Sequence, residues 1–198
     1  MKLVGAGLLA LGLACGRPAL PEAELPPATG LRIRVRNDAA SPIYLDGNAR
    51  WLFSVTDAAG GPLMIDHPDL SGCDRCRTIC ELGRTVSDSG IGFVELAPGA
   101  SVVEEWPAEV FTRGACACGH PCVSAASLAP GRYGLRVRYA RDLPKEIYGR
   151  PARFDRFSFH DRTYRTSEQW GSCESYLDRT LERPFDFTGP GIVELVFR

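Results

Sequence analysis

The sequence predicts an all-β chain built as an antiparallel β-sandwich. Three observations predict it. Short runs alternate apolar and polar residues, as strands buried on one face do. Gly and Pro turns separate these runs at close intervals. No segment carries a long apolar repeat of period 3.6, the mark of an amphipathic helix.

The first run, "LRIRVRN" at 31–37, alternates strictly: Leu31, Ile33 and Val35 face one way and Arg32, Arg34 and Arg36 the other. "SPIYLDGN" reads as a short strand ending in an Asp-Gly turn. "WLFSVTD" places Trp51, Phe53 and Val55 on one face, "AAGGP" turns the chain, and "LMID" is the expected hairpin partner. A cysteine-rich loop follows from about His67 to Ser89, with a turn or two of helix expected around "CRTICELG". "IGFVEL" and "SVVEEW" are two strands joined by Ala97-Pro98-Gly99. A second cysteine cluster comes after Trp106. "LAPGRYGLRVRYA" supplies another Pro-Gly turn and a strand with Tyr133, Leu135, Val137 and Tyr139 on one face. "RFSFH" and "PFDF" are short strand candidates, and "GIVELVFR" closes the chain with Val193, Leu195 and Phe197 inward. In both "LAPG" corners, Pro suits the second place of a type II turn and Gly the third, where φ must be positive.

The order "ELAPGASVVEEW", loop, "LAPGRYGLRVRY" resembles bacterial immunoglobulin-like sandwich domains. It is similar in particular to the BsuPI family, named for a proteinase inhibitor, across about residues 31–140. The whole chain also resembles cysteine-bearing lipoproteins of GC-rich bacteria. The resemblance implies an immunoglobulin-like sandwich. The two cysteine loops, the segment 141–182 and the export signal depart from the BsuPI pattern, so inhibition does not carry over with the fold.

The N-terminus reads as an export signal. Lys2 precedes an apolar run, Leu3 to Ala14, that is shorter than the roughly 20 residues a membrane span needs and fits a signal h-region. The run ends in Gly12-Leu13-Ala14-Cys15, which resembles a lipobox: a small residue precedes a cysteine that takes lipid. Gly12 stands where the usual pattern has Leu. Gly16 after the cysteine resembles the outer-membrane sorting pattern. The expected organisation is a signal peptide at 1–14, lipidated Cys15 with a Pro-rich tether to residue 30, and one domain at 31–198. Gly5-Ala6-Gly7-Leu8-Leu9-Ala10 matches a dinucleotide fingerprint, but only four residues precede it, so no strand can lead into it.

Six cysteines fall in two clusters, Cys73, Cys76 and Cys80, then Cys116, Cys118 and Cys122, with His120 inside the second. Three chemistries compete. These six cysteines and His120 could bind Zn²⁺ or Cu(I), yet C-x-C-x-H-x-C is not half of a usual zinc knuckle pair. Cys73-Asp74-Arg75-Cys76 is a C-x-x-C, but thioredoxin-like chemistry needs it within a βαβ pattern that is missing here. Disulfides fit best. Export places the thiols in an oxidising compartment, and loops poor in apolar residues gain about 2–4 kcal/mol from a bridge. Cys116 and Cys118 point the same way on an extended strand, which suits two bridges between the clusters. With Cys15 lipidated, seven cysteines remain, so one is odd. Cys173 either is that thiol or bridges into a cluster and frees another.

The net charge of −1 argues against nucleic acid as a partner. Charge is uneven: residues 132–165 hold ten Lys/Arg against four Asp/Glu, whereas 81–111 hold six acidic residues and Arg84. These are either two solvated faces or opposite patches for an envelope protein or an anionic surface. No catalytic residue is assigned. His67 reads as a turn residue, and Ser158 and His160, though on one face of a strand, are sequence neighbours, whereas triad members converge from distant segments. Glu104 and Glu105 alternate across a strand and cannot act together. The expectation is a non-enzymatic lipoprotein of the cell envelope, held at the outer membrane by its lipid, with no cofactor. A periplasmic metal-binding protein and a proteinase inhibitor are the alternatives.

Overall fold

The structure is a computed structural model that describes residues 30–66, 90–115, 119, 121–159, 161–169 and 173–198. The described chain is all-β. Its strands are β1 (Leu31–Asn37), β2 (Ile43–Asp46), β3 (Ser54–Thr56), β4 (Pro62–Leu63), β5 (Gly92–Leu96), β6 (Ser101–Trp106), β7 (Glu109–Ala115) and β8 (Pro121–Ser127). Then come β9 (Gly131–Ala140), β10 (Glu146–Ile147), β11 (Arg150–Pro151), β12 (Asp155–Phe159), β13 (Arg162–Thr166), β14 (Arg179–Phe187) and β15 (Gly191–Phe197). A 3₁₀ turn spans Cys173–Tyr176. Among the described residues no helix is long and apolar enough to cross a membrane.

Two main sheets share one core. The smaller has the order β15-β1-β6; the larger runs β12-β13-β5-β2-β9-β3-β4. In the larger sheet β2 and β3 pair in tandem with the two halves of β9, and β14 pairs along nine residues of its other edge. Ile33, Val35 and Leu195 from the small sheet meet Leu45, Val55, Leu135 and Val137 from the large one. Each such side chain is fully or almost fully buried and stabilises by about 1.5–3 kcal/mol. The alternation read from β1 and β15 is what puts Ile33, Val35, Leu195 and Phe197 on this inner face.

One pairing departs from the antiparallel expectation: β1 and β15 run parallel, with Leu31 opposite Gly191 and Asn37 opposite Phe197. A parallel pair cannot be closed by a tight turn, and here the whole domain lies between its two strands. Strand alternation says nothing of direction, so the sequence carried no sign of it.

The large sheet also buries its outer face near β5. Val94 faces the main core, while Ile91 and Phe93 enter a second cluster with Ala140, Ile147, Cys173 and Leu177. Phe154 caps it, edge-on to Phe93 at 5.7 Å. Residues on either side of the β12–β13 hairpin, Ile147 and Phe154 before it and Cys173 and Leu177 after it, therefore cover this face of the sheet.

The turns divide in their chemistry. Gly99 has φ of +75°, as the Pro98-Gly99 corner requires. The second corner differs: Gly131 is absent from the positive-φ residues and starts β9, paired with Phe187. Tyr133, two residues on, donates its hydroxyl to Ala129 O at 2.8 Å and closes that corner instead. Between β10 and β11, Tyr148 and Gly149 both have positive φ, at +51° and +72°, the signature of a type I′ hairpin turn.

Candidate functional site

The second cysteine cluster belongs to a projecting ribbon. After Trp106 the chain turns at Ala108, whose φ of +56° is uncommon for a residue with a side chain. It then runs out as β7 and back as β8, seven residues paired with seven, from Glu109 opposite Ser127 to Ala115 opposite Pro121. The two strands form a sheet of their own. Leu128 N bonds to Ala108 O at 2.7 Å at the root, and Phe111 N to Met64 O at 2.7 Å higher up. Most ribbon side chains are exposed, but Cys122 and Val123 near the tip are buried. Gly114 stands opposite Cys122.

Cys122 is disulfide-bonded, with a partner outside the described residues. It therefore leaves the set of possible metal ligands. Cys73, Cys76, Cys80, Cys116, Cys118 and His120 lie outside the described residues, as do Cys15, the signal and tether segments to residue 29, His67 and His160. No disulfide joins two described residues, and no group of three or more potential ligands among them could hold a metal. The Met64–Phe111 bond does fix one relation: the chain just before the first cysteine segment runs alongside the strand that leads to the second.

Cys173 is a free thiol and leaves the set of disulfide candidates. It is 1 % exposed, at the start of the 3₁₀ turn and inside the second apolar cluster. Its Sγ donates to Asp46 Oδ1 at 2.6 Å. The same oxygen accepts the Asn48 and Ala49 amides at 2.9 and 3.1 Å. Asn48 in turn ties Gly90 O and Gly92 N, so the predicted Asp-Gly turn is clamped to β5. Burial, followed by the Asp46 bond and charge, pushes the Cys173 thiol up to about 12. A thiol so protonated is neither nucleophile nor ligand at neutral pH.

The charged segments largely meet each other. Glu104 lies opposite Ile33 and so points inward; it is 6 % exposed and accepts from Arg162 Nη2 at 2.7 Å. Burial raises its pKa, against the opposing effect of Arg162. Glu105, one residue on, faces out and takes Arg32 at 2.8 Å, so the two carboxylates do separate across the strand. Glu95 pairs with Arg165 and with Arg156, the latter at 3.5 Å. Arg136 pairs with Glu182 at 2.8 Å and Arg138 with Glu174 at 2.5 Å. Half of the basic stretch is thus spent on carboxylates brought by other elements. Ser158 lies exposed on β12.

Sequence reading missed several features, among them the β7–β8 ribbon, strand β13 and the β10–β11 hairpin. The β7–β8 ribbon escaped because "EVFTRGA" and "PCVSAAS" carry no apolar alternation. Strand β13 escaped because "RTYRT" is polar; the inward Arg162 that satisfies Glu104 is what it contributes. Compared with known proteins, the chain matches no family model, no curated protein and no solved structure.

Proposed function

We propose that the chain is an exported lipoprotein whose domain, an immunoglobulin-like sandwich with disulfide-stapled loops, serves the cell envelope as a non-enzymatic binding or supporting module. The observation that carries this reading is the ribbon. A rigid two-sheet body holds out a two-stranded arm of mostly exposed residues and ties it by main-chain bonds at Ala108 and Met64. Binding surfaces are commonly loops presented by such a scaffold.

Three further observations support parts of the reading. The Tyr133–Ala129 bond after a Pro-Gly corner has the form of the tyrosine corner of immunoglobulin-like sandwiches. The bonded Cys122 suits an oxidising compartment. The Met64–Phe111 bond favours bridges between the two cysteine segments. Lipid on Cys15 would leave the Pro-rich tether to hold the domain off the membrane surface.

The test is metabolic labelling with a clickable palmitate analogue in a Gram-negative host. The protein is expected to take label and to fractionate with the outer membrane, and Cys15→Ala to lose both. A chain that is exported, cleaved and unlabelled would overturn the lipoprotein reading.

A further inference from the structure

Strands β14 and β15 are joined by a three-residue turn at 188–190 but enter different sheets. Among the described residues β14 pairs only with β9 and β15 only with β1, so one edge of each is free. Between them lies an open cleft of about 540 Å³, a size common for small-ligand sites.

Its floor is apolar and its rim is cationic. Tyr139, Leu181 and Phe197 line the floor, and Tyr139 packs edge-on to Phe197 at 4.7 Å and fixes both rings. Arg141, Arg183 and Arg198 stand around it. None of the three has a side-chain carboxylate partner among the described residues. Arg141 Nη2 donates to Arg198 O at 3.2 Å, and Arg183 Nη1 donates to Glu194 O. Each guanidinium keeps further donors and cannot shed its charge. The nearby carboxylates are committed elsewhere: Glu182 to Arg136, and Glu194 to Arg36 at 3.3 Å. Several arginines elsewhere on this domain are matched with acids, as Arg136, Arg138, Arg162 and Arg165 are. Here they are gathered over an apolar floor and left unmatched.

We infer that this cleft binds an amphipathic carboxylate, with an acyl chain along Tyr139, Leu181 and Phe197 and its head among Arg141, Arg183 and Arg198. Guanidinium forks match carboxylates in geometry as well as charge. An added peptide strand fits less well. Pro184 removes a main-chain donor from β14, and Glu182, Arg183 and Asp186 charge it, both of which discourage strand addition.

The test is calorimetric titration of the full chain in lipid nanodiscs with octanoate, against empty nanodiscs. Saturable binding is expected for octanoate and not for octyltrimethylammonium, which has the same tail and the opposite charge. Arg141→Gln with Arg183→Gln should weaken it by about tenfold or more with the melting temperature little changed. Arg198→Gln, at an exposed position outside β15, is a second variant that spares the fold. No saturable octanoate binding, equal binding of the cation, or unchanged affinity in the folded variants would overturn the inference.

Discussion

The Cys173 thiol donates a hydrogen bond of 2.6 Å to Asp46 Oδ1 within the apolar cover of the large sheet. The pair joins residues far apart in the chain and anchors the 3₁₀ turn to the Asp-Gly turn after β2. It makes Cys173 a structural group, with its proton held by burial and by Asp46.

Alkylation measures this directly. Iodoacetamide at pH 8 should label Cys173 at least about a hundredfold more slowly in the native protein than in urea. The pH dependence has a definite sign. A thiol raised in the folded state contributes stability that is present below its unfolded value, 9.0, and lost as pH rises toward about 12. Urea melts of the wild type and Cys173→Ser should therefore keep a constant gap to about pH 8, then diverge above pH 9 to the cost of the wild type.

The Glu104–Arg162 pair links β6 to β13 across the two sheets. Arg162→Ala would leave a carboxylate buried without its partner and should cost about 3 kcal/mol. Because burial raises the Glu104 pKa above 4.5, the folded state favours the protonated form. Relative to Glu104→Gln, the wild type should gain stability as pH falls from 7 toward 4.5 and lose it as pH rises through the folded pKa. Chemical denaturation at the two pH values checks both statements.

Asn37 is fully buried at the end of β1. Its Nδ2 donates to Ser41 O and Leu96 O, both at 2.9 Å, and its Oδ1 accepts Ala39 N at 3.1 Å. Asn37→Ala strands three main-chain groups and should cost about 3 kcal/mol or more. A loss below about 1 kcal/mol in a urea melt would mean that water replaces the amide.

Tyr133→Phe removes only the hydroxyl that reaches Ala129 O. The expected loss is about 1 kcal/mol, with binding of any cleft ligand unaffected. A markedly larger loss would show that the corner holds more than one bond.

Much of the body was legible from alternation alone. The Leu31, Ile33, Val35 face and the Leu195, Phe197 face were set by period 2, and both are buried as read. What alternation could not carry was direction and pairing. The parallel β1–β15 contact, the inward turn of Glu104 and the cover over Phe93 all depend on residues distant in sequence. The charge imbalance shows the same limit: from sequence alone a basic run and an acidic run do not tell that Glu95 and Glu104 stand against Arg156, Arg162 and Arg165. At the cysteines, sequence gave parity and little else. The free state of Cys173 comes from its seat beside Asp46, for which "WGSCES" holds no local signal.

The central claim, that the cysteine segments are scaffold for an exported module, rests on how the thiols are spent. The most direct measurement is the intact mass of the exported chain in native and denaturing conditions, alkylated with and without reduction. With Cys15 lipidated and Cys173 free, six cysteines remain. The account predicts three bridges, a single alkylation in denaturant that maps to Cys173, and no metal. Several free thiols in the segments 73–80 and 116–122 with a retained metal ion would contradict it and make those segments the functional site.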